Sequence, residues 1–339
     1  MRVALLTRDL PPVRVGGVAS WVHDLACALV ADGREVTVFA ESRSVGEGPH
    51  PYRVVSVPGR SWARWQGTWM AGALARDGHT HPIVIASTWR LATALLGPLA
   101  PRHLLVGLHG SDVTSLASMP RALARLVGRA GFLPVSRFLA QQLAALGGPR
   151  AEPLPWPLFP ASEATEPRGR HLVCVSRLIA GKGVVDTVVL AGRLGLDLTV
   201  VGGGPARAHA ERVAEELGVE VRWRGALDRA SARQELASAA AALLLPDGPE
   251  GLGLCLLEAA SAGTPVIGRA WGGTPEAVGP GVVLPKDEAV SAVDLTDVLA
   301  LLDDPMAGQR ARDWVESVHH PHACLAALDA VLRAQGGGL

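Results

Sequence analysis

Lysine is nearly absent from this 339-residue chain: Lys182 and Lys286 stand against a Lys+Arg total of 32. Its positive charge is therefore carried almost wholly by arginine, which says little about function. Cysteine is sparse too. Cys27, Cys174, Cys255 and Cys324 are widely separated with no CxxC pair, so neither a zinc centre nor a disulfide framework is indicated, and they read as small buried apolar residues. No apolar run reaches bilayer length, and the opening MRVALLT is too short for a signal-peptide core, so the expected location is cytoplasmic. GxGxxG occurs nowhere, which removes the fingerprint of a dinucleotide-dependent oxidoreductase. His319, His320 and His322 have Pro321 among them and no acidic or cysteine neighbour, which argues against a metal centre.

What is present suffices for two cores. The chain is 48% hydrophobic and 19% charged, a length and composition that predict two globular domains. Net charge is zero overall, yet residues 1–150 hold 16 basic against 8 acidic side chains and the remainder 16 against 24. Such asymmetry points to an anionic partner for the first half, or to two lobes of opposite sign.

The segment LLLPDGPEGLGLCLLEAASAGTPVIG, from Leu243 to Gly268, organises the rest. Leu243 to Leu245 predicts a short buried strand ended by Pro246, Asp247, Gly248 and Pro249. Leu252 to Ala262 predicts a helix stopped by Gly263, and Pro265 to Gly268 the next strand. Glu250 and Glu258 bracket the helix start. Eight helical steps would set them about 12 Å apart along the axis and roughly 80° around it, too far for a close acid–base pair. They suit opposite ends of one elongated polar ligand, with Gly251 and Gly253 baring amides at a helix N-terminus where a phosphate fits. The plain alternative is a capping Glu250 and a solvated Glu258.

The first half opens with a strand, Arg2 to Thr7, a loop ending in Gly16 and Gly17, an amphipathic helix from Val18 to Ala31, and a second strand, Glu35 to Ala40. That is the opening unit of a doubly wound parallel sheet. Residues 43–60 read as turn-rich. Trp62, Trp65 and Trp69 recur at helical spacing, either as a core face or as a platform for an acceptor or lipid. Pro82 to Ser87 predicts a strand, and so does Leu104 to Leu108, which runs into His109-Gly110-Ser111-Asp112 at the strand end where open sheets place ligands. MPRALARLVGRAG predicts a helix with Arg121, Arg125 and Arg129 on one face, either solvated or meeting an anionic lipid or phosphorylated acceptor. A strand from Phe132 to Val135 and a helix from Ser136 to Leu146 follow, and then the proline-dense GGPRAEPLPWPLFPASEATEPRGR.

In the second half, strand Leu172 to Val175 delivers Ser176 and Arg177 into a loop ending at Lys182-Gly183, before a helix from Val184 to Arg193. A fork and a point charge at such a turn can grip a diphosphate without a metal. LDLTVVGGGP follows as strand and turn, with Gly202 to Gly204 permitting close backbone approach; Val219 to Arg224 is another strand and Arg233 to Ala240 a helix. Trp271-Gly272-Gly273-Thr274-Pro275-Glu276 is a glycine loop before a short helix. Val290 to Leu302, Met306 to Val318 and Pro321 to Gln335 read as helical.

EGLGLCLLEA followed by AGTPVIG and GGTPE, with VSRL…KG, the strand-end His109-Gly110 and the opening PPxxxGGV, resembles the GT-B glycosyltransferases of family 4 over most of the chain. The departures are Leu252, where many members have an aromatic residue, and Ala19 and Ser20, where a glutamate and a polar residue are common. The resemblance implies an α/β fold of GT-B architecture, two Rossmann-like doubly wound parallel-sheet domains facing across a cleft. It implies an acceptor-binding domain over 1–150, a linker over 151–170, a nucleotide-sugar domain over 171–319, and a terminal helix in 320–339 crossing back. The implied activity is a retaining, metal-independent transfer from a UDP- or GDP-sugar to a hydroxylated acceptor, with no cofactor and no nucleic acid. The acceptor leans toward a small metabolite, with a lipid-linked or phosphorylated acceptor at the membrane, met through Arg121, Arg125 and Arg129, as the alternative.

The resemblance also assigns roles. Glu250 goes to the sugar hydroxyls and reacting side, Glu258 to the ribose, Arg177 and Lys182 to the diphosphate, and His109 to the donor sugar. Gly16, Gly17, Gly203, Arg224, Leu227, Gly251, Leu252, Gly253, Leu254 and Cys255 complete the donor set, while Trp21, Trp89, His109 and Asp112 are acceptor candidates. The absence of any DxD removes the metal signature of the other large glycosyltransferase fold. Two rivals remain: a nucleotide-sugar epimerase, whose acid and base groups have no place here, and a non-catalytic GT-B binding subunit, weakened by the intact Arg177, Lys182, Glu250 and Glu258.

Overall fold

Strands as apolar as RVALLT, IVIA and HLLVGL must be covered on both faces, and the chain meets that demand with two wholly parallel sheets flanked by helices. The computed structural model describes residues 1–12, 16–46, 50–58, 66–77, 81–96, 101–159 and 169–336. Trp62 and Trp65 lie outside them. Trp69 is 43% exposed.

Met1–Phe159 and His319–Leu339 form one compact unit, and Pro160–Val318 the other. The first runs β1 (Arg2–Thr7), α1 (Gly17–Ala31), β2 (Glu35–Glu41), β3 (Arg53–Val57), α2 (Gln66–Arg76), β4 (Ile83–Ala86), α3 (Trp89–Thr93), β5 (His103–Leu108), α4 (Gly110–Ala117), α5 (Pro120–Leu126), β6 (Gly131–Pro134) and α6 (Arg137–Ala145). The second runs β7 (His171–Val175), α7 (Val184–Leu194), β8 (Asp197–Val201), α8 (Arg207–Leu217), β9 (Val221–Gly225), α9 (Arg229–Ser238), β10 (Ala241–Leu244), α10 (Leu254–Ser261), β11 (Val266–Arg269), α11 (Thr274–Val278), β12 (Val282–Leu284), α12 (Thr296–Asp303) and α13 (Ala307–His319). Helix α14 (Pro321–Ala334) belongs to the first unit.

The strand orders are β3-β2-β1-β4-β5-β6 and β12-β11-β10-β7-β8-β9. Each sheet therefore reverses direction once, between β1 and β4 and between β7 and β10, and at such a switch point the loops leaving the strand ends diverge and leave a crevice.

Helix α14 packs on α1, where Arg34 makes a two-pronged bond to Asp329 at 2.8 and 2.9 Å. His319 Nδ1 accepts the Trp156 backbone N–H at 3.1 Å, and Trp156 Nε1–H donates to Asp24 at 2.8 Å. Burial lowers the His319 pKa to about 4, which keeps that imidazole a neutral acceptor.

The structure departs from the sequence reading in several places. Residues 53–57 of the turn-rich stretch form β3, an edge strand pairing only with β2; its exposed Arg53 and Ser56 break the apolar run that would announce it. Helix α5 stops at Leu126, because Val127 turns extended with ψ 130° and Gly128 follows at φ 76°. Arg129 thus leaves the helical face shared by Arg121 and Arg125. Helix α12 starts only at Thr296, since the carbonyls of Val290 and Val293 accept from Arg193 at 2.7 Å instead of entering a ladder. Helix α10 starts only at Leu254, which leaves Glu250 in the preceding loop.

Candidate functional site

Across the second switch point, the loop after β7 carries Arg177 and Lys182 and the loop after β10 carries Glu250. Lys182 Nζ donates to Glu250 Oε2, an ion pair between residues 68 apart in sequence. Both side chains remain about one-fifth exposed, at 19% and 18%, so a ligand can reach them. The second oxygen, Oε1, accepts the Gly251 N–H at 3.0 Å.

The Glu250 backbone is held from the glycine loop before α11. Gly273 N–H donates to Glu250 O at 2.8 Å, and Gly272 lies at φ 61° with the place of a Cβ only 2.2 Å from that oxygen. No other residue type fits at 272 without moving Glu250. Arg177 is exposed and has no side-chain partner among the described residues. Its loop is tied to the β8 turn: Leu178 N–H donates to Gly203 O and Ala206 N–H to Leu178 O, both at 2.9 Å. Gly203 thus orders the Arg177 loop through its carbonyl.

Gly253 precedes α10, so the amides of Leu254 and Cys255 lie in its first turn, where helical N–H groups lack internal acceptors. Burial pushes the Cys255 thiol pKa up, which keeps it neutral. Leu252 is buried. Arg224 pairs with Glu235 at 2.7 Å, and Leu227 lies half-buried in the turn after β9.

Glu258 is not on a solvated face. Its side chain is 8% exposed, and Oε1 lies 2.6 Å from Arg229 Nε and 3.7 Å from Arg233 Nε, two arginines one turn apart on α9. Sequence reasoning started that helix at Arg233 and missed Arg229. The signal was Asp228, an N-cap whose carboxylate accepts the Ser231 N–H at 2.9 Å. Arg229→Ala leaves a buried carboxylate with one distant partner, at a cost of about 2 kcal/mol and roughly 4–8 °C in the melting midpoint. Arg229→Ala with Glu258→Gln is expected to recover most of that loss. If the double variant melts no higher than the single one, the clamp does not hold Glu258.

In the first unit, Gly16 and Gly17 are exposed at the start of α1, and a Cβ at either meets nothing within 4 Å. His109 ends β5 and begins α4, where its N–H donates to Asp112 Oδ2 at 3.1 Å. Burial raises the Asp112 pKa to about 7 and lowers that of His109 to about 3, so the imidazole is neutral at ordinary pH. Trp21 is fully buried and meets the His109 ring edge-on at 4.9 Å, so it supports that ring instead of offering a face to an acceptor. Trp89 is buried as well, with its indole N–H on Ser115 at 2.8 Å. His109 Nε2 is buried without a hydrogen-bond partner among the described residues.

Residues 169–303 match the family described as glycosyl transferases group 1. A GDP-mannose-dependent alpha-(1-6)-phosphatidylinositol monomannoside mannosyltransferase of Mycobacterium tuberculosis is 32% identical, over 93% of both chains. A glycogen synthase of the same organism is 28% identical, over 91% of this chain and 88% of its own. Among solved structures, Anabaena Alr3699/HepE in complex with UDP and glucose superposes with a TM-score of 0.74 at 17% identity, covering 98% of this chain and all of its own.

Proposed function

This chain belongs to the glycosyl transferases group 1 and is a GT-B glycosyltransferase, and from that premise we propose that it transfers mannose from GDP-mannose, with retention, to a hydroxyl of a phosphorylated, lipid-linked acceptor. The observation that carries the donor reading is the meeting of Lys182 with Glu250 at the switch point, beside the exposed fork of Arg177 and the first amides of α10. Two cations and a helix N-terminus are what a leaving diphosphate needs, because they stabilise charge that develops as the glycosidic bond breaks. GDP and mannose come from the name of the mycobacterial relative, as does the lipid-linked acceptor. The exposed Met119 and Val127 flanking Arg121 and Arg125 support a membrane-surface acceptor over a small metabolite. The described residues contain no helix long and apolar enough to cross a membrane.

In this mechanism the bond from C1 to the diphosphate oxygen breaks while the acceptor oxygen bonds to C1 on the same face. The acceptor proton passes to the leaving phosphate. Arg177, Lys182 and the amides of Leu254 and Cys255 take the leaving charge without a metal. Glu250 binds sugar hydroxyls and Glu258 the ribose.

Thermal shift against GDP, UDP and ADP, with and without EDTA, tests the donor. At a hundredfold excess over the dissociation constant a ligand stabilises by about 2.7 kcal/mol, several degrees for a domain of this size. GDP is expected to stand out and EDTA to change nothing. A response to UDP alone removes GDP-mannose, and no response to any nucleotide removes the donor site. Mannose transfer from GDP-mannose to phosphatidylinositol-bearing vesicles then separates an enzyme from a binding subunit, which binds GDP and transfers nothing.

A further inference from the structure

Both arginines that meet Glu258 meet the same oxygen. Arg229 Nε lies 2.6 Å from Oε1 and Arg233 Nε 3.7 Å from it, whereas Oε2 has no partner among the described residues and is not sealed from solvent. The arrangement follows from α9. Asp228 caps that helix, so Arg229 is its first residue and Arg233 follows one turn later on the same face, where α9 packs against α10. A carboxylate only 8% exposed is costly unless paired, and here the pairing is one-sided. Oε1 is committed to a charge-assisted bond, and Oε2 keeps its lone pairs for a ligand.

Charge and valence decide what that ligand group is. A carboxylate repels phosphate oxygens, so the anionic part of the donor belongs at Arg177 and Lys182 and not here. The paired N–H donors on the edge of a guanine ring need both carboxylate oxygens, and Oε1 is taken. Vicinal ribose hydroxyls need one, because a single carboxylate oxygen offers two lone pairs. We propose that Arg229 is a positioning residue for the donor: it holds Glu258 by Oε1 so that Oε2 accepts from the ribose hydroxyls, and the pair sets the preference for a ribonucleotide over its deoxy counterpart. The inference rests on the glycosyl-transfer reading, in which Glu258 serves the ribose, and names the residue through which it does so.

Titration calorimetry of the intact protein with GDP and UDP, each beside its 2′,3′-dideoxy analogue, tests it in the unsubstituted chain, Arg229→Ala, Arg229→Lys and Arg233→Ala. The nucleotide that binds the unsubstituted protein is expected to bind about tenfold or more tightly than its dideoxy analogue, the effect of a hydrogen bond to a charged group. Arg229→Ala is expected to abolish most of that ratio by weakening the nucleotide and not the analogue. Arg229→Lys, which keeps a cation beside Oε1, restores most of it. Arg233→Ala removes only the distant charge and changes the ratio less. In the transfer reaction Arg229→Ala is expected to raise the KM for the sugar nucleotide about tenfold with kcat within about twofold, because the ribose contact is the same before and during bond breaking. If the alanine variant does not fold, Arg229→Gln, which keeps a polar side chain without the charge, carries the same comparison. An Arg229 that only supports the fold lowers the melting midpoint and weakens both ligands alike, or neither. Either result overturns the proposal, as does an Arg233→Ala effect as large as that of Arg229→Ala. The failures are distinct: a ribose ratio that Arg229→Ala leaves intact removes this inference alone, equal binding of nucleotide and analogue to the unsubstituted protein removes the ribose role of Glu258 with it, and binding of no nucleotide removes the donor reading as well.

Discussion

Replacing Lys182 with alanine is expected to lower turnover about a hundredfold to a thousandfold while moving the melting midpoint by no more than a few degrees. The two effects part because they depend on different states. In the resting protein, Lys182 meets Glu250 with both side chains about one-fifth exposed, so water can replace the lost partner and the stability cost is about 1 kcal/mol. In the proposed mechanism the ammonium faces a diphosphate gaining negative charge, where removing one such group costs roughly 3–4 kcal/mol of barrier. Lys182→Arg is expected to restore only part of the rate, because a planar fork cannot occupy the place of a compact ammonium. Single-turnover rates at saturating GDP-mannose, beside calorimetry on the same variants, separate the two. A near-normal rate in Lys182→Ala removes this loop from the chemistry. A rate loss matched by a collapse in midpoint makes Lys182 a structural residue.

The residues legible in the sequence share one property: their signal is local. Apolar runs such as RVALLT and HLLVGL announce buried parallel strands, and the glycines and prolines that end them announce the loops. Arg177 and Lys182 could be read because a strand-to-helix turn is a local pattern. Hidden features depend on partners remote in sequence. Nothing near Glu258 says that Arg229 and Arg233, on the preceding helix, enclose it. Nothing in VSAV says that its carbonyls serve Arg193, a hundred residues away, so its periodicity read as helix. The strand β3 was masked by Arg53 and Ser56 facing solvent. Helix α5 was extended too far because Val127 and Gly128 interrupt a run of otherwise good helix formers only through their backbone angles.

Gly183→Ala is expected to be the most damaging single-methyl change in the second unit. Gly183 lies at φ 63° just before α7, and its missing Cβ would sit 1.5 Å from the carbonyl oxygen of Leu245 and 3.3 Å from Pro246 Cα. Both neighbours are backbone, so neither can swing aside. The carbonyl of Gly183 is also committed, accepting from the Thr187 N–H and hydroxyl at 3.0 Å each. A methyl group must therefore drive the loop after β7 away from the end of β10, on top of the roughly 1 kcal/mol that a left-handed conformation costs an L residue. The combined penalty is about 3–5 kcal/mol, roughly 6–15 °C in midpoint for a unit of this size. The same displacement separates Lys182 from Glu250, one residue along and across that contact, so turnover falls as well. Gly181→Ala is the control: Gly181 also has positive φ, 86°, but a Cβ there meets nothing within 4 Å. It is expected to lose only the conformational term. If calorimetry finds the two alanine variants equally stable, close packing of the β7 loop on the Leu245 carbonyl does not hold this site together.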